Sequence, residues 1–413
     1  MGNTGEERYN AKMKRVYDAI ELRVPDRVPL VVGCEGFAAH YGGITMKEAM
    51  YEYDKTEKAY DKFFEDFDPD LAFDPVLMYP ATPLDTLGLN WFRWPGNGLG
   101  DNTIYQFIEG EYMTVEDYDA LIYDPTCFFL TRWIPRCFKN LSGLSNLYGL
   151  RDSSWLGFFN AFYPFSIPEV KESLKNLMKG ADELAQWFAF LTRYSEKLKS
   201  KGFPTFWGAF AFAPFDILGD TLRGTENLLF DLKDRPEKVL AAVEKLTPIA
   251  IESGIRGAQA TGRKFVWIWL HKGTDDFMSQ EDYMTFYWPP LKKLINGLID
   301  AGLTPMVYGE GKMDKRVESY LELPKGKICL HLEYADMKRA KEILKGHVCI
   351  SGNVPSDVIH YGTPDEVKKH CKYLIDNVAP GGGYMMDAAA LIDDAKPENV
   401  KAIFDYTMEY GKY

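Results

Sequence analysis

The sequence predicts a (β/α)8 barrel of the TIM class with a large insertion between its second and third strands, and three observations lead there. Eight apolar or β-branched runs follow one another, helix-patterned stretches separate the later ones, and titratable residues gather just past their C-terminal ends. The runs are 27–33 (RVPLVVG), 71–78 (LAFDPVLM), 204–212 (PTFWGAFAF), 264–270 (KFVWIWL), 304–308 (TPMVY), 327–332 (KICLHL), 347–351 (HVCIS) and 383–386 (GYMM). Eight strands joined by helical crossovers close most naturally into a barrel.

The connecting helices carry their own punctuation. Residues 236–246 (PEKVLAAVEKL) begin with proline at a helix start, and 364–375 (PDEVKKHCKYLI) follow Thr363 as the N-cap. About 125 residues, 79–203, separate the second run from the third and are rich in Tyr, Phe, Trp and Gly. No linker-like composition interrupts them. The expectation is therefore one domain over 1–413, with 79–203 as an insertion and helical cap over the barrel mouth.

Bulk properties exclude several functions. Sixty Asp and Glu against 48 Lys and Arg leave a net charge of −12, which disfavours a nucleic-acid partner. No apolar run reaches the roughly 18–20 residues that a bilayer crossing requires. The polar N-terminus lacks the apolar core of a secretory signal, and Glu6 stands where a myristoylation motif wants Ser or Thr, so a cytoplasmic protein is expected. Six scattered cysteines without a C-x-x-C pair suit reduced thiols. No H-E-x-x-H, G-x-S-x-G or dinucleotide fingerprint is present, and Gly381-Gly382-Gly383 precedes a strand, as a turn does and a phosphate loop does not.

In such barrels chemistry sits at the C-terminal strand ends. Those ends carry Glu35 after the first strand, His271-Lys272 after the fourth, Tyr308-Gly309-Glu310-Gly311 at the fifth, His331 and Glu333 at the sixth, Asn353 after the seventh and Asp387 after the eighth. Glu310, between two glycines, is the first candidate, with a buried salt bridge as the plain alternative. His331 lies within an apolar run, where a hydrogen-bonded core histidine is the rival reading, and His271 has a capping or loop contact as its rival. The expected catalytic set is Glu310, His331 and His271, the same three being the candidate metal ligands. Glu35, Tyr308, Phe210, Trp269, Asn353 and Asp387 are expected to contact substrate. Imidazole with carboxylate oxygen suits zinc with an open position. The aromatic content of 15% suits walls around a flat, apolar ligand.

Several stretches resemble the uroporphyrinogen decarboxylase superfamily, which includes cobalamin-dependent methyltransferases. They are 222–244 (LRGTENLLFDLKDRPEKVLAAVE), FMSQEDYMTFYWPPLKKLI, SGNVPSDVIHYGTPDEV and the ending APGGGYMMDAAALIDDAKPENVKAIFDYTMEYGKY, in the family order; RVPLVVGCEGF fits more loosely. The resemblance implies a (β/α)8 barrel. Where porphyrinogen decarboxylases carry an arginine-rich loop, this chain reads GCEGFAAHYGG, and where the thiol-methylating branch holds zinc with His-x-Cys it reads Tyr308-Gly309-Glu310, with Ala390 in place of the later cysteine.

What remains is similar to the branch that demethylates methyl ethers and passes the methyl group to cob(I)alamin on a separate corrinoid protein. Some members carry a zinc pattern E-x14-E-x20-H. Glu310 and His331 match its second half, whereas Ile295 occupies the first position and leaves the third ligand to His271 or Glu35. The resemblance thus implies a methyltransferase acting on a small methoxylated, aromatic substrate, with zinc and a partner-borne cobalamin as cofactors and a homodimer as the assembly if the chain associates. Glu310 and His331 would serve as zinc ligands or as an acid with its orienting partner, with Phe210, Trp267 and Trp269 holding an aryl ring. Two rivals stand beside this reading: a metal-independent decarboxylase of another carboxylate, and a non-catalytic barrel that binds a ligand or a corrinoid module.

Overall fold

In a computed structural model, residues 4–147, 157–206 and 208–413 are described; Trp207 of the third expected strand and 148–156 of the expected insertion lie outside them. The insertion opens with a short helix, Ala81–Leu87, and continues with a small three-stranded sheet, in which β1 (Phe92–Pro95) pairs parallel with β2 (Gly98–Leu99) and antiparallel with β3 (Gln106–Phe107). Short helical turns follow. The segment does not remain cap to its end: Pro168–Lys201 forms one 34-residue helix that leads into the third expected strand. Proline at its first turn and Gly202 in the left-handed conformation at its end set the limits. Its buried residues, including Val170, Trp187, Leu191, Tyr194 and Leu198, recur at helical spacing and turn one face inward. Residues 168–201 are thus a crossover helix of the barrel, and the cap is the part before them.

The third to eighth expected strands become a six-stranded parallel sheet in sequential order: β4 (Ala209–Phe212), β5 (Phe265–Leu270), β6 (Thr304–Lys312), β7 (Cys329–Tyr334), β8 (Cys349–Ser351) and β9 (Tyr384–Met385). The first two runs are not regular strands. They carry the ring round by single parallel bridges, Leu30 with Met386, Cys34 with Ile392 and Ala72 with Thr205. Backbone bonds join the same neighbours: Val31 N–H to Met386 O (3.0 Å), Asp70 N–H to Leu30 O (3.0 Å) and Phe206 N–H to Ala72 O (2.9 Å). Pro29 and Pro75 have no N–H to give, so a continuous ladder is unavailable there. The buried carboxylate of Asp70 fills part of the gap, accepting from Leu30 N–H and pairing with Arg15 and Arg27.

One expected helix is longer than its periodicity suggested. The helix expected over 236–246 runs as Pro236–Thr261 through Pro248, because buried Val239, Val243, Leu246, Ala250, Gly254 and Ala258 keep the apolar stripe going past it. Continued burial outweighs the one hydrogen bond that an internal proline removes.

Alternation along the strands stacks the barrel interior in layers. Phe73, Phe206 and Trp267 meet at ring separations of 4.7–4.8 Å, and Trp267 meets Tyr308 at 5.3 Å. Tyr308 lies flat on His331 at 3.8 Å, their strands being in register at that pair. Two residues further along each strand the apolar filling ends and His271, Glu310 and Glu333 begin. Among the described residues no helix is long and apolar enough to cross a membrane.

Candidate functional site

Glu310 stands on a backbone crowded on one side and in the left-handed conformation that favours glycine on the other. A Cβ at Gly309 would press on Met313 and on the His331 carbonyl oxygen (3.1–3.2 Å), and Gly311 has φ +75° against Thr274. Glu333 accepts from the Gly311 N–H (2.5 Å) and pins that turn. The Glu310 side chain is 42% exposed and faces His271, with Oε2 3.6 Å from Nε2. Crowding by the surrounding protein raises its carboxyl above the usual range against the pull of His271, and the charges of Glu333 and Asp220 add to the rise.

His271 is held from its other side. Nδ1–H donates to Asp220 Oδ2 (2.5 Å), and Asp220 Oδ1 also receives Lys272 Nζ at 3.1 Å. Burial works against a charged imidazole, but the Asp220 hydrogen bond and the charges of Asp220, Asp216 and Glu310 prevail and push His271 up to about 9. Asp220, although buried, is held below its ordinary value by the same pairing. Asp216 fixes the end of β5, accepting from the His271 and Lys272 N–H groups (3.0 Å each) and from the Tyr287 hydroxyl (2.7 Å). Burial and the neighbouring Asp220 push Asp216 up to about 6.

The first expected strand delivers Glu35, which is 4% exposed. The Tyr105 hydroxyl hydrogen-bonds to it, while Oε1 has no partner. Burial first, then the charges of Asp393 and Glu310, push this carboxyl up to about 8. Tyr79 stands edge-on to Tyr105 at 4.8 Å, so the cap closes over Glu35 with two phenols. Opposite, Phe210 stacks on Trp269 at 5.2 Å and Phe212, 42% exposed, on its other neighbour side at 6.3 Å.

His331 belongs to the layer beneath. It is 3% exposed, and Nε2–H donates to Ala389 O at 2.9 Å, since a carbonyl oxygen only accepts. Nδ1 faces Ser351 Oγ and Asp387 Oδ2, each at 3.2 Å. Asp387 in turn accepts from the Gly33 and Ala388 N–H groups, tying the eighth expected strand to the first. Asn353 spends its amide on the carbonyls of Glu333 and Ala335 (3.2 Å each). Tyr308 is buried, its hydroxyl directed at Ala389 O (3.4 Å).

The structure therefore brings together His271, Glu310 and Glu35, with Phe210 and Trp269 as walls, and leaves His331, Asp387, Asn353 and Tyr308 as the support below and beside them. The expected zinc set of Glu310, His331 and His271 is not assembled, because both nitrogens of His331 already face other partners. Among the described residues no group of three or more His, Cys, Asp or Glu is placed to hold a metal ion. Asp216, Asp220, Tyr79 and Tyr105 have no place in the sequence reading, whereas Lys272 stands in it beside His271 at the end of the fourth run. The signal for the first two was present: Asp216-x-x-x-Asp220 follows the third run, and the ends of the second and third runs were not counted.

A family model described as uroporphyrinogen decarboxylase matches residues 164–410, more than half of the chain. Among solved structures, a methyltransferase from Methanosarcina mazei superposes with a TM-score of 0.63 at 14% identity, covering 99% of each chain, which shows a shared fold. A B12-independent methionine synthase from Shewanella sp. W3-18-1 reaches a TM-score of 0.37 over 54% of this chain and 64% of its own, at 11% identity, and carries no argument. No curated protein sequence matches significantly.

Proposed function

Because the chain belongs to the uroporphyrinogen decarboxylase family, we propose that it is a methyltransferase of that family, cleaving a small methyl ether and passing the methyl group to a corrinoid carried by a separate protein. The observation that supports this most is the Asp220–His271–Glu310 series, a fixed carboxylate, an imidazole and a half-exposed carboxyl in line at the barrel mouth. An alkoxide or phenoxide is a poor leaving group unless a proton reaches the oxygen as its bond to carbon breaks. A reduced corrinoid supplies the nucleophile for the methyl carbon.

Glu310, whose carboxyl is raised, holds that proton and gives it to the ether oxygen. His271 remains charged to about pH 9 on Asp220, orients Glu310 and returns a proton to it afterwards. The 3.6 Å gap between them suits an empty site, where catalytic contacts are loose and tighten around substrate. Phe210, Phe212 and Trp269 hold an aryl ring and exclude water. Zinc enters no step of this proposal, since both ring nitrogens of His331, expected to bind it, face other partners.

The same features speak against the family's namesake substrate. A porphyrinogen with several carboxylates needs cations, and the strand ends here offer Glu35, Glu310 and Glu333, with His271 and Lys272 held on Asp220 and Lys312 on Asp276. Single-turnover methylation of a partner's cob(I)alamin should fall roughly 10²–10⁴-fold in Glu310→Gln. An unchanged rate overturns the assignment, and carbon dioxide release without any corrinoid protein would favour a decarboxylase instead.

A further inference from the structure

The mouth contains a carboxyl that the proposed proton transfer leaves idle. Glu35 is almost wholly buried, yet its Oε1 meets no donor. Around it stand the Tyr105 and Tyr79 phenols from the cap, the Tyr60 hydroxyl on its own carbonyl (3.1 Å), Asp393 from the loop after β9, and Glu310 across the barrel. Asp393 spends one oxygen on the Gly36 N–H (3.2 Å), and the imidazoles of His360 and then His40 act on it electrostatically. Among the described residues no lysine or arginine is paired with Glu35. The cations nearest the mouth are already committed, His271 and Lys272 to Asp220 and Arg316 to the carbonyls of Gly273, Thr274 and Met278.

Leaving a buried carboxyl oxygen without a donor costs about 1–3 kcal/mol, so such a group marks a place where a ligand completes the bonding. The carboxyl groups of Asp393 and Glu310 in the same field add a sign: a ligand that brings donors and a positive charge is favoured there over an anion. The Tyr105 and Tyr79 rings beside Glu35 also favour positive charge over their faces.

We propose that the substrate of this site carries a positive charge, an organic ammonium group that binds the free oxygen of Glu35 among the aromatic faces. Combined with the reading above, on which it rests only for the methoxy group, the substrate class is a methoxylated arene bearing an amine.

Three probes on one skeleton decide it, titrated against the full chain at neutral pH by calorimetry with no corrinoid partner: 4-methoxyphenethylammonium, 4-methoxyphenethyl alcohol and 4-methoxyphenylacetate. The ammonium is expected to bind at least about tenfold more tightly than the alcohol, and the carboxylate most weakly. Glu35→Gln, checked for folding by circular dichroism, should reduce the preference for ammonium over alcohol to within about twofold while leaving the alcohol's affinity in place. Should that variant not fold, Asp393→Asn tests the same field and should lower the preference in part. Equal or tighter binding of the alcohol or carboxylate, no binding of any probe, or a preference that survives Glu35→Gln overturns the inference. So does Glu35-dependent binding of zinc chloride alone with refusal of the ammonium. Turnover separates this from the wider reading: an ammonium ether that binds but is never demethylated with corrinoid partners sinks the methyltransferase. A neutral ether that is demethylated while the ammonium is refused sinks the inference alone.

Discussion

The two histidines at the top of this barrel differ by one layer of side chains and, with it, by nearly everything else. His331 is sealed under Tyr308 with each nitrogen assigned to a fixed neighbour. His271 keeps one nitrogen on buried Asp220 and turns the other to a carboxyl that reaches the open mouth. Identical side chains are thus enclosed as scaffold in one layer and, on the proposed reading, available for proton chemistry in the next. What separates them is how many of their hydrogen-bonding sites the protein itself consumes.

Breaking the upper member should cost activity. His271→Asn is expected to lower methyl transfer by roughly 10²–10³-fold, read in single turnover, in a variant that still folds because Asp220 keeps Lys272. Breaking the lower member should cost stability. His331→Phe strips the donor from the Ala389 carbonyl and leaves Asp387 and Ser351 short of a partner, a loss of about 2–4 kcal/mol in denaturant unfolding. The fraction that remains folded should retain most of its rate. A His331 variant that is stable and inactive would reverse the comparison.

The pH dependence sharpens it further. His271 is raised from 6.5 to about 9, so the stabilisation it draws from Asp220 is fully present below 6.5 and is lost as pH rises through about 9. Turnover should fall over the same upper limit, and in Asp220→Asn that limit should move toward neutral pH. An effect of the opposite sign is expected at Glu35. Above pH 4.5 the unfolded chain ionises this carboxyl freely while the folded chain resists until about 8, so the folded state loses ground across that window. Glu35→Gln should therefore melt higher than the parent at pH 9 and at the same temperature near pH 4.5.

The later barrel was legible because its strands are short apolar runs, each closed by a turn and followed by a helix with its own cap, such as Thr363 before Pro364–Asn377. The first two strands were legible as apolar runs but not as what they are. Their prolines interrupt the ladder, and side-chain help from Asp70 across the fold has no signature in local pattern. The site divides similarly. Glu310 could be singled out because the glycines beside it betray a crowded backbone. His331 could be found by spacing but not placed, since spacing along a strand does not tell which layer a residue fills. Asp216 and Asp220 sit in the helical turns after β4, where acidic residues read as ordinary surface until β5 is brought beside them.

The charge state of His271 bears most directly on the account. Nitrogen NMR of the labelled imidazole across pH 5–10 should show an imidazolium that persists until about pH 9 in the parent and titrates near 6.5 once Asp220 is replaced by Asn. An imidazole that already titrates near 6.5 in the parent would contradict it, leaving the mouth without its proton source.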